Sequence, residues 1–345
     1  MPTFPVRVDG SLVLLGRDPA EVAGRPMSPP EPDWIQADPR RIRTALARAS
    51  AKPSGGWAVL DATRAVREAK GPRHYVVAGR ELVAWWDGER VKVAPDACPH
   101  MGASLSCGHV SASGEVVCPW HGLALGKTAH GGWAPLRTHD DGVLTWVRAT
   151  ALLAPGEAPT DAPILPVRPP RFLDAVVRTE ARCATQDVIA NRLDPWHGAH
   201  FHPHSFARLR VIGEDAESIT VRVVYRIAGR VGMEVDARFH CPDPRSIVMT
   251  IVAGEGVGSL VETHATPIET GRTAIVEATL AYSERPRMAW LPRAGALMRK
   301  LVQARSARLW DDDAQYCERT YELRTKKKPL TVVDDAEIPA PAEAE

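Results

Sequence analysis

At 345 residues the chain exceeds the usual length of one domain, which predicts two units with cores large enough to need no staples. Lys plus Arg is 43 and Asp plus Glu is 42, and the formal charge of +1 excludes a counterion-releasing nucleic-acid binder and a polybasic membrane coat. No apolar run reaches the ~18 residues of a membrane span and the N-terminus lacks a basic-then-apolar leader, so a cytoplasmic location is expected.

Residues 1–54 hold nine of the thirty prolines and predict a Pro-rich N-terminal arm with one helix, capped by Asp38, opened by Pro39 and running through RRIRTALARAS. Over 55–155 short apolar stretches, WAVL, HYVVAG, ELVAWW, VKVAP, EVVCP and GVLTWV, alternate with Gly, Asp and Pro turns, the pattern of a compact all-β module. Six prolines between Pro155 and Pro170 predict an extended linker over 156–170.

A second unit over 171–325 is predicted to be α+β. Asp187 is expected to cap a short helix toward Asp194. In SITVRVVYRI, Ile219, Val221, Val223, Tyr225 and Ile227 share one face of a strand, whereas TAIVEATLAYS alternates less cleanly. Arg287 to about Leu323 reads as helix covering the sheet. Residues 326–345 form a polar, Pro-rich tail.

Six cysteines are too few for a disulfide framework. Cys98-Pro99-His100 is followed after seventeen residues by Cys118-Pro119-Trp120-His121, so each of two loops supplies one thiolate and one imidazole. Two Cys and two His also suit zinc, but zinc fingers usually separate the cysteines from the histidines. Mixed loops suit a 2Fe-2S centre in which both thiolates hold one iron and both imidazoles the other. The neighbouring glycines are expected to let backbone amides approach the cluster sulfurs.

CPHMGASL and CPWHGLALG resemble both cluster loops of Rieske proteins. Ala103 and Trp120 stand where Rieske subunits of respiratory complexes carry an extra cysteine pair, so the resemblance is to the oxygenase branch. Met101, where many oxygenases have Arg, departs from the pattern without touching the ligands.

In the second unit, Asn191-Arg192-Leu193-Asp194-Pro195-Trp196-His197, followed after four residues by His202, is similar to the iron-binding segment of Rieske non-haem iron ring-hydroxylating oxygenases. Late in the chain Trp310-Asp311-Asp312-Asp313 resembles the segment carrying the family's third ligand. Asp313 is the choice, with Asp312 the runner-up because three consecutive carboxylates blur the register. Two imidazoles and one carboxylate on one face of Fe(II) leave positions open for O2. Activating O2 takes two electrons, of which one can come from Fe(II) and one from the reduced cluster.

Because His202 lies about 140° round an ideal helix from His197, the helix is expected to break after His197, at Gly198. Pro195 predicts a kink or helix end. By resemblance, Asp194 bridges the iron histidine to a cluster histidine of a neighbouring subunit, which implies a homo-oligomer, usually a trimer.

His200 and His204 flank the proposed ligands and compete with them for that role; motif register favours His202 over His200, which leaves them as neighbours of the ligands or surface groups. Cys107, Cys183, Cys241 and Cys317 read as small buried hydrophobes, and His240 and His264 as groups that could line a pocket. Seven basic residues and no acid between Arg285 and Arg308 read as a solvated helix face, with an acidic ferredoxin or a membrane surface as sharper alternatives.

The resemblance implies an all-β Rieske domain followed by an α+β catalytic domain with a curved antiparallel sheet closed by helices (helix-grip, START-like). Its cofactors would be a 2Fe-2S cluster at Cys98, His100, Cys118 and His121 and a mononuclear Fe(II) at His197, His202 and Asp313, with O2 as co-substrate. Electrons would come from a separate ferredoxin or NAD(P)H-dependent reductase, and the substrate would be a small hydrophobic molecule. Nucleic acid is not expected as a partner, and membrane contact is at most peripheral. The rival reading is a Rieske electron-transfer protein whose second domain lacks a working iron site.

Overall fold

The computed structural model describes residues 6–15, 33–126, 129–283 and 295–326. The arm contributes more than its expected helix. Strands β1 (Val6–Asp9) and β2 (Leu12–Leu15) form a hairpin, followed by α1 (Asp33–Gln36) and α2 (Pro39–Ser50). Asp38 caps α2 by accepting from the Arg40 N–H at 2.8 Å, and Pro39 needs no donor at that position.

The next strands are β3 (Trp57–Ala62), β4 (Arg73–Val77), β5 (Arg80–Trp86) and β6 (Val91–Pro95), with helix α3 (Thr63–Arg67) after β3. They continue through β7 (His109–Val110), β8 (Val116–Val117), β9 (Ala124–Leu125), β10 (Thr138–Asp140) and β11 (Leu144–Arg148). They form three small sheets, β10-β11-β3, β4-β5-β6 and β7-β8-β9. Val83, Trp85, Leu105, Val116 and Leu125 pack into one core that also takes in Cys98 and Cys118.

The large sheet holds β12 (Leu173–Ala181), β13 (Phe206–Glu214), β14 (Ser218–Ala228) and β15 (Val231–Asp243). It is completed by β16 (Ser246–Gly254), β17 (Leu260–Glu269) and β18 (Arg272–Ala281). Its path is β1-β2-β15-β16-β17-β18-β12, with β14 pairing β15 and β13. Pairing is antiparallel except between β2 and β15, so the arm is a working part of this sheet. Helices α4 (Thr185–Arg192) and α5 (His197–Phe201) follow β12, and α6 (Gly295–Thr325) lies along it. Arg299 Nη2 reaches Asp174 Oδ1 at 2.9 Å and Gln303 Nε2 donates to the Val176 carbonyl at 2.9 Å. The architecture is thus an all-β unit followed by a sheet-rich α+β unit with few helices and no closed barrel.

The irregular pattern of TAIVEATLAYS has a packing cause. Val276, Ala278 and Leu280 face the all-β unit, packing with Trp57, Val59 and Trp146. Ile275 faces the helices, packing with Trp310 and Cys317. A strand covered on both sides carries apolar residues at successive positions, so period two fades.

Three expectations are corrected. Asp187 is not the cap of α4: Ala184 occupies that place, and Asp187 sits one turn in, where its carboxylate accepts from the Ala184 N–H at 2.9 Å. The helix does not break after His197. It ends at Arg192, Asp194 to Trp196 form a turn, and α5 begins at His197, because Pro195 cannot continue the donor ladder. Gly198 lies inside α5, where a Cβ would approach Leu209 Cδ1 to 3.1 Å, so close packing explains it. Cys107 is exposed, unlike the buried Cys183, Cys241 and Cys317.

Candidate metal centres and the adjoining cavity

The two cysteine loops are built alike. The Cys98 N–H donates to the Ala103 carbonyl and the Gly102 N–H to the Cys98 carbonyl, each at 2.8 Å. Cys118 repeats both bonds with Leu123 and Gly122, at 2.9 and 3.1 Å. Closing each loop needs φ of +81° at Gly102 and +73° at Gly122. No heavy atom lies within 4 Å of a Cβ built on either. Left-handed backbone therefore requires these glycines.

The sulfurs of Cys98 and Cys118 are buried and face one another, and neither is in a disulfide. Burial works to raise both thiols: at Cys98 it prevails over the backbone N–H groups of His100 and Met101, whereas at Cys118 the N–H groups of Trp120 and His121, with Cys98, outweigh it and hold the thiol below its ordinary value. Exposed at the tips, the His100 and His121 rings lie 4.8 Å apart, centre to centre. Paired thiols, paired imidazoles and amides aimed at sulfur fit a 2Fe-2S cluster held by two ligands per iron. Asp96 pins the first loop by accepting from Ser106 N and Oγ, at 2.7 and 2.8 Å.

In the second unit α5, the residue just after it and α6 bring three candidate ligands of two types together: one ligand atom each of His197, His202 and Asp313 lies within 4.8 Å of the others. Asp313 Oδ1 is 3.2 Å from His197 Nε2 and 2.9 Å from His202 Nε2. The opposite ring nitrogens also face oxygen. His197 Nδ1 meets the Asp194 carbonyl, and His202 Nδ1 meets Asp312 Oδ2 at 3.3 Å. A neutral imidazole has one N–H, so donation from Nδ1 leaves an Nε2 lone pair against the carboxylate. A cation among the two Nε2 atoms and Oδ1 resolves that clash of acceptors, so the residues fit a metal ion.

Burial works against charge on Asp313, but His197 and His202 hold its carboxyl well below the usual range. For His202 burial is outweighed by Asp313 and Asp312, which raise it. Asn191 Nδ2 donates to Asp313 Oδ1 at 3.0 Å, and the Tyr316 hydroxyl donates to Asp194 Oδ2 at 3.1 Å. Asp194 is buried in the turn between α4 and α5, and its Oδ1 has no partner among the described residues. His200 is outside the group, exposed and paired with Asp33 at 2.8 Å. His204 joins His202 and Asp312 in a second group of metal-ligand spacing.

Beside His197, His202 and Asp313 opens a cavity of about 520 Å3, within the range of small-molecule sites. Val223, Phe239, Met249, Ile251 and Val261 give it apolar walls. Glu277 and Arg192 add a polar pair, 3.7 Å apart, with Trp310 Nε1 donating to Glu277 at 2.9 Å. His240 and His264, expected as possible lining, are not among the lining residues. His264 is buried on the other face of the sheet, bonded to Ser246 Oγ at 2.8 Å.

Sequence reasoning gave no role to Asn191, Tyr316 or Glu277. It also missed a buried triad in which Arg168 reaches Asp141 at 2.8 Å and Glu262 at 2.7 Å. Helical spacing was the available signal for Tyr316, three residues after Asp313, whereas the triad comes from three distant segments.

Residues 56–146 match the model of the Rieske [2Fe-2S] domain. Dicamba monooxygenase bound to dicamba has the same fold, with TM-score 0.56 and 18% identity over 83% of this chain and 91% of that one. The terminal oxygenase of carbazole 1,9a-dioxygenase from Novosphingobium sp. KA1 gives TM-score 0.53 at 15% identity, covering 83% and 90%. NdmB of Pseudomonas putida CBB5 gives 0.51 at 15%, covering 79% and 82%. The chain is therefore a Rieske-domain protein with the fold of the Rieske oxygenases. Residues 154–328 match the family described as "Domain of unknown function (DUF5914)", and the chain belongs to that family. No curated protein matches it.

Proposed function

We propose that this chain is a Rieske-type oxygenase that uses a 2Fe-2S cluster and a mononuclear non-haem iron to oxidise a mostly hydrophobic small molecule with O2. Hydroxylation, demethylation, desaturation and oxidative cyclisation all fit that chemistry. Electrons would come from a ferredoxin or an NAD(P)H-dependent reductase. The observation carrying this reading is the convergence of His197, His202 and Asp313 on the wall of a largely apolar cavity.

Cys98, Cys118, His100 and His121 would hold the cluster, and His197, His202 and Asp313 the single iron. When bound, these centres would supply one-electron transfer and O2 activation. The chain's own residues prepare the site. The Asp194 carbonyl and Asp312 hold each Nδ1 so that Nε2 points inward, and Asn191 orients Asp313. Of the two carboxylates, Asp313 suits the ligand role because its side chain is 3% exposed and meets both Nε2 atoms. Asp312 is 34% exposed and meets one Nδ1. The apolar walls exclude water and accept a hydrophobic substrate.

Asp194 would relay electrons between centres in a homo-oligomer, held in place by Tyr316. Iron and sulfide analysis with electron paramagnetic resonance and O2 uptake tests the whole reading. About three irons per chain and reductant-dependent O2 uptake support it, whereas about two irons and no uptake would assign an electron carrier instead.

A further inference from the structure

On α6, Val302, Arg305, Ser306 and Leu309 line the cavity. The neighbouring stripe of the same helix, Leu297, Lys300, Leu301, Ala304 and Arg308, is exposed. Leu297 is 64% and Leu301 55% exposed, and four residues apart they stand on one face. Ile227, at the end of β14, lines the cavity yet is 53% exposed. Arg305 joins the helix to that strand end by donating to the Arg226 carbonyl at 2.8 Å. Ile227 thus stands exposed on the lining of the apolar cavity, and the exposed Leu297 and Leu301 stand on the helix that forms another part of that lining.

Charge accompanies them. Arg299 is used against Asp174, but Lys300 and Arg308 have no ion pair among the described residues, and the first acid along α6 is Asp311. We propose that this stripe, with Ile227, docks on an anionic lipid bilayer, so that the cavity draws its substrate from the membrane. The apolar side chains would enter the boundary between headgroups and acyl chains while the cations meet lipid phosphates. The entry route rests on the oxygenase reading, whereas the docking does not.

An acidic electron donor fits this face less well, because electrons must reach His100 and His121 on the cluster loops and not α6. A second copy fits poorly too, since a few exposed side chains fall far short of the ~800 Å2 per partner of a stable interface.

Co-sedimentation of the full chain with vesicles tests the proposal. Binding is expected to vesicles containing phosphatidylglycerol and to be much weaker with phosphatidylcholine alone, and it should fall as salt rises. The pair Lys300→Gln/Arg308→Gln should weaken it roughly 10- to 30-fold. Leu297→Ser/Leu301→Ser should abolish it, with thermal unfolding and iron content unchanged in both pairs. Equal binding to the two vesicle types, no binding, or variants that sediment like the parent would overturn the proposal. So would light scattering in which the leucine pair splits an oligomer, or slower cluster reduction by the donor protein with vesicle binding intact. Iron content and O2 uptake test the oxygenase reading separately.

Discussion

The two candidate metal centres are assembled in opposite ways. The candidate cluster ligands sit on two short loops of the same design, with buried thiols and exposed imidazoles. The second group draws His197 and His202 from around α5 and Asp313 from α6, more than a hundred residues later, and buries His202 and Asp313 almost completely. One centre is local and partly open, which suits the proposed entry of electrons. The other depends on long-range packing and faces a largely apolar cavity, which suits the proposed oxidation of an apolar molecule.

The sharpest break of that contrast is Asp313→Ala. It should end substrate turnover and lower iron from about three to about two per chain while the Rieske resonance stays. Loss of both centres together would show that they are not independent.

Next in size is Arg168→Met, which leaves Asp141 and Glu262 buried without their cation and should cost about 3–5 kcal/mol in denaturant unfolding. In the parent chain burial opposes charge on both carboxyls. Arg168 outweighs it at Asp141, as His264 and Arg168 do at Glu262, so both lie below their usual range. Their contribution should be fully present above about pH 5 and fade as pH falls through the folded-state values. In Arg168→Met both carboxyls lose that cation and should move up from their parent values, while His264 still faces Glu262 and Trp146 still donates to Asp141, so the fall in stability toward acid pH should be shallower than in the parent. Chemical denaturation from neutral to acid pH reads both slopes.

Asp194→Asn keeps a group able to accept from Tyr316, and it should slow turnover about 10- to 100-fold with both metal contents intact. Undiminished turnover would remove the relay role. The smallest effect concerns the arm: Asp38→Ala removes the α2 cap and should cost about 1 kcal/mol of stability with iron content unchanged.

Legibility followed the same divide. Cys98, His100, Cys118 and His121 stood out as a candidate set because loop chemistry is written in consecutive residues. His197, His202 and Asp313 needed a family resemblance, since their spacing is common and their meeting is tertiary. Between Asp312 and Asp313, helical period favours Asp313 as the candidate: Trp310, Asp313 and Cys317 are buried on one side of α6, and Asp311 is exposed. The position of the break near Pro195 and the cap of α4 were misjudged because short helices are set by their surroundings more than by their residues. The arm's hairpin escaped notice because its partner, β15, lies more than two hundred residues away.

The Asp141–Arg168–Glu262 triad bears on interchangeability. Asp141 lies between β10 and β11 of the cluster unit, Arg168 in the Pro-rich connection, and Glu262 on β17 of the large sheet. A chimera carrying another protein's cluster unit must also supply a carboxylate at that place, or it inherits Arg168 and Glu262 as a buried, unbalanced remainder. The seam thus works as a compatibility code: the two halves can be exchanged between relatives only when all three charges are reconciled.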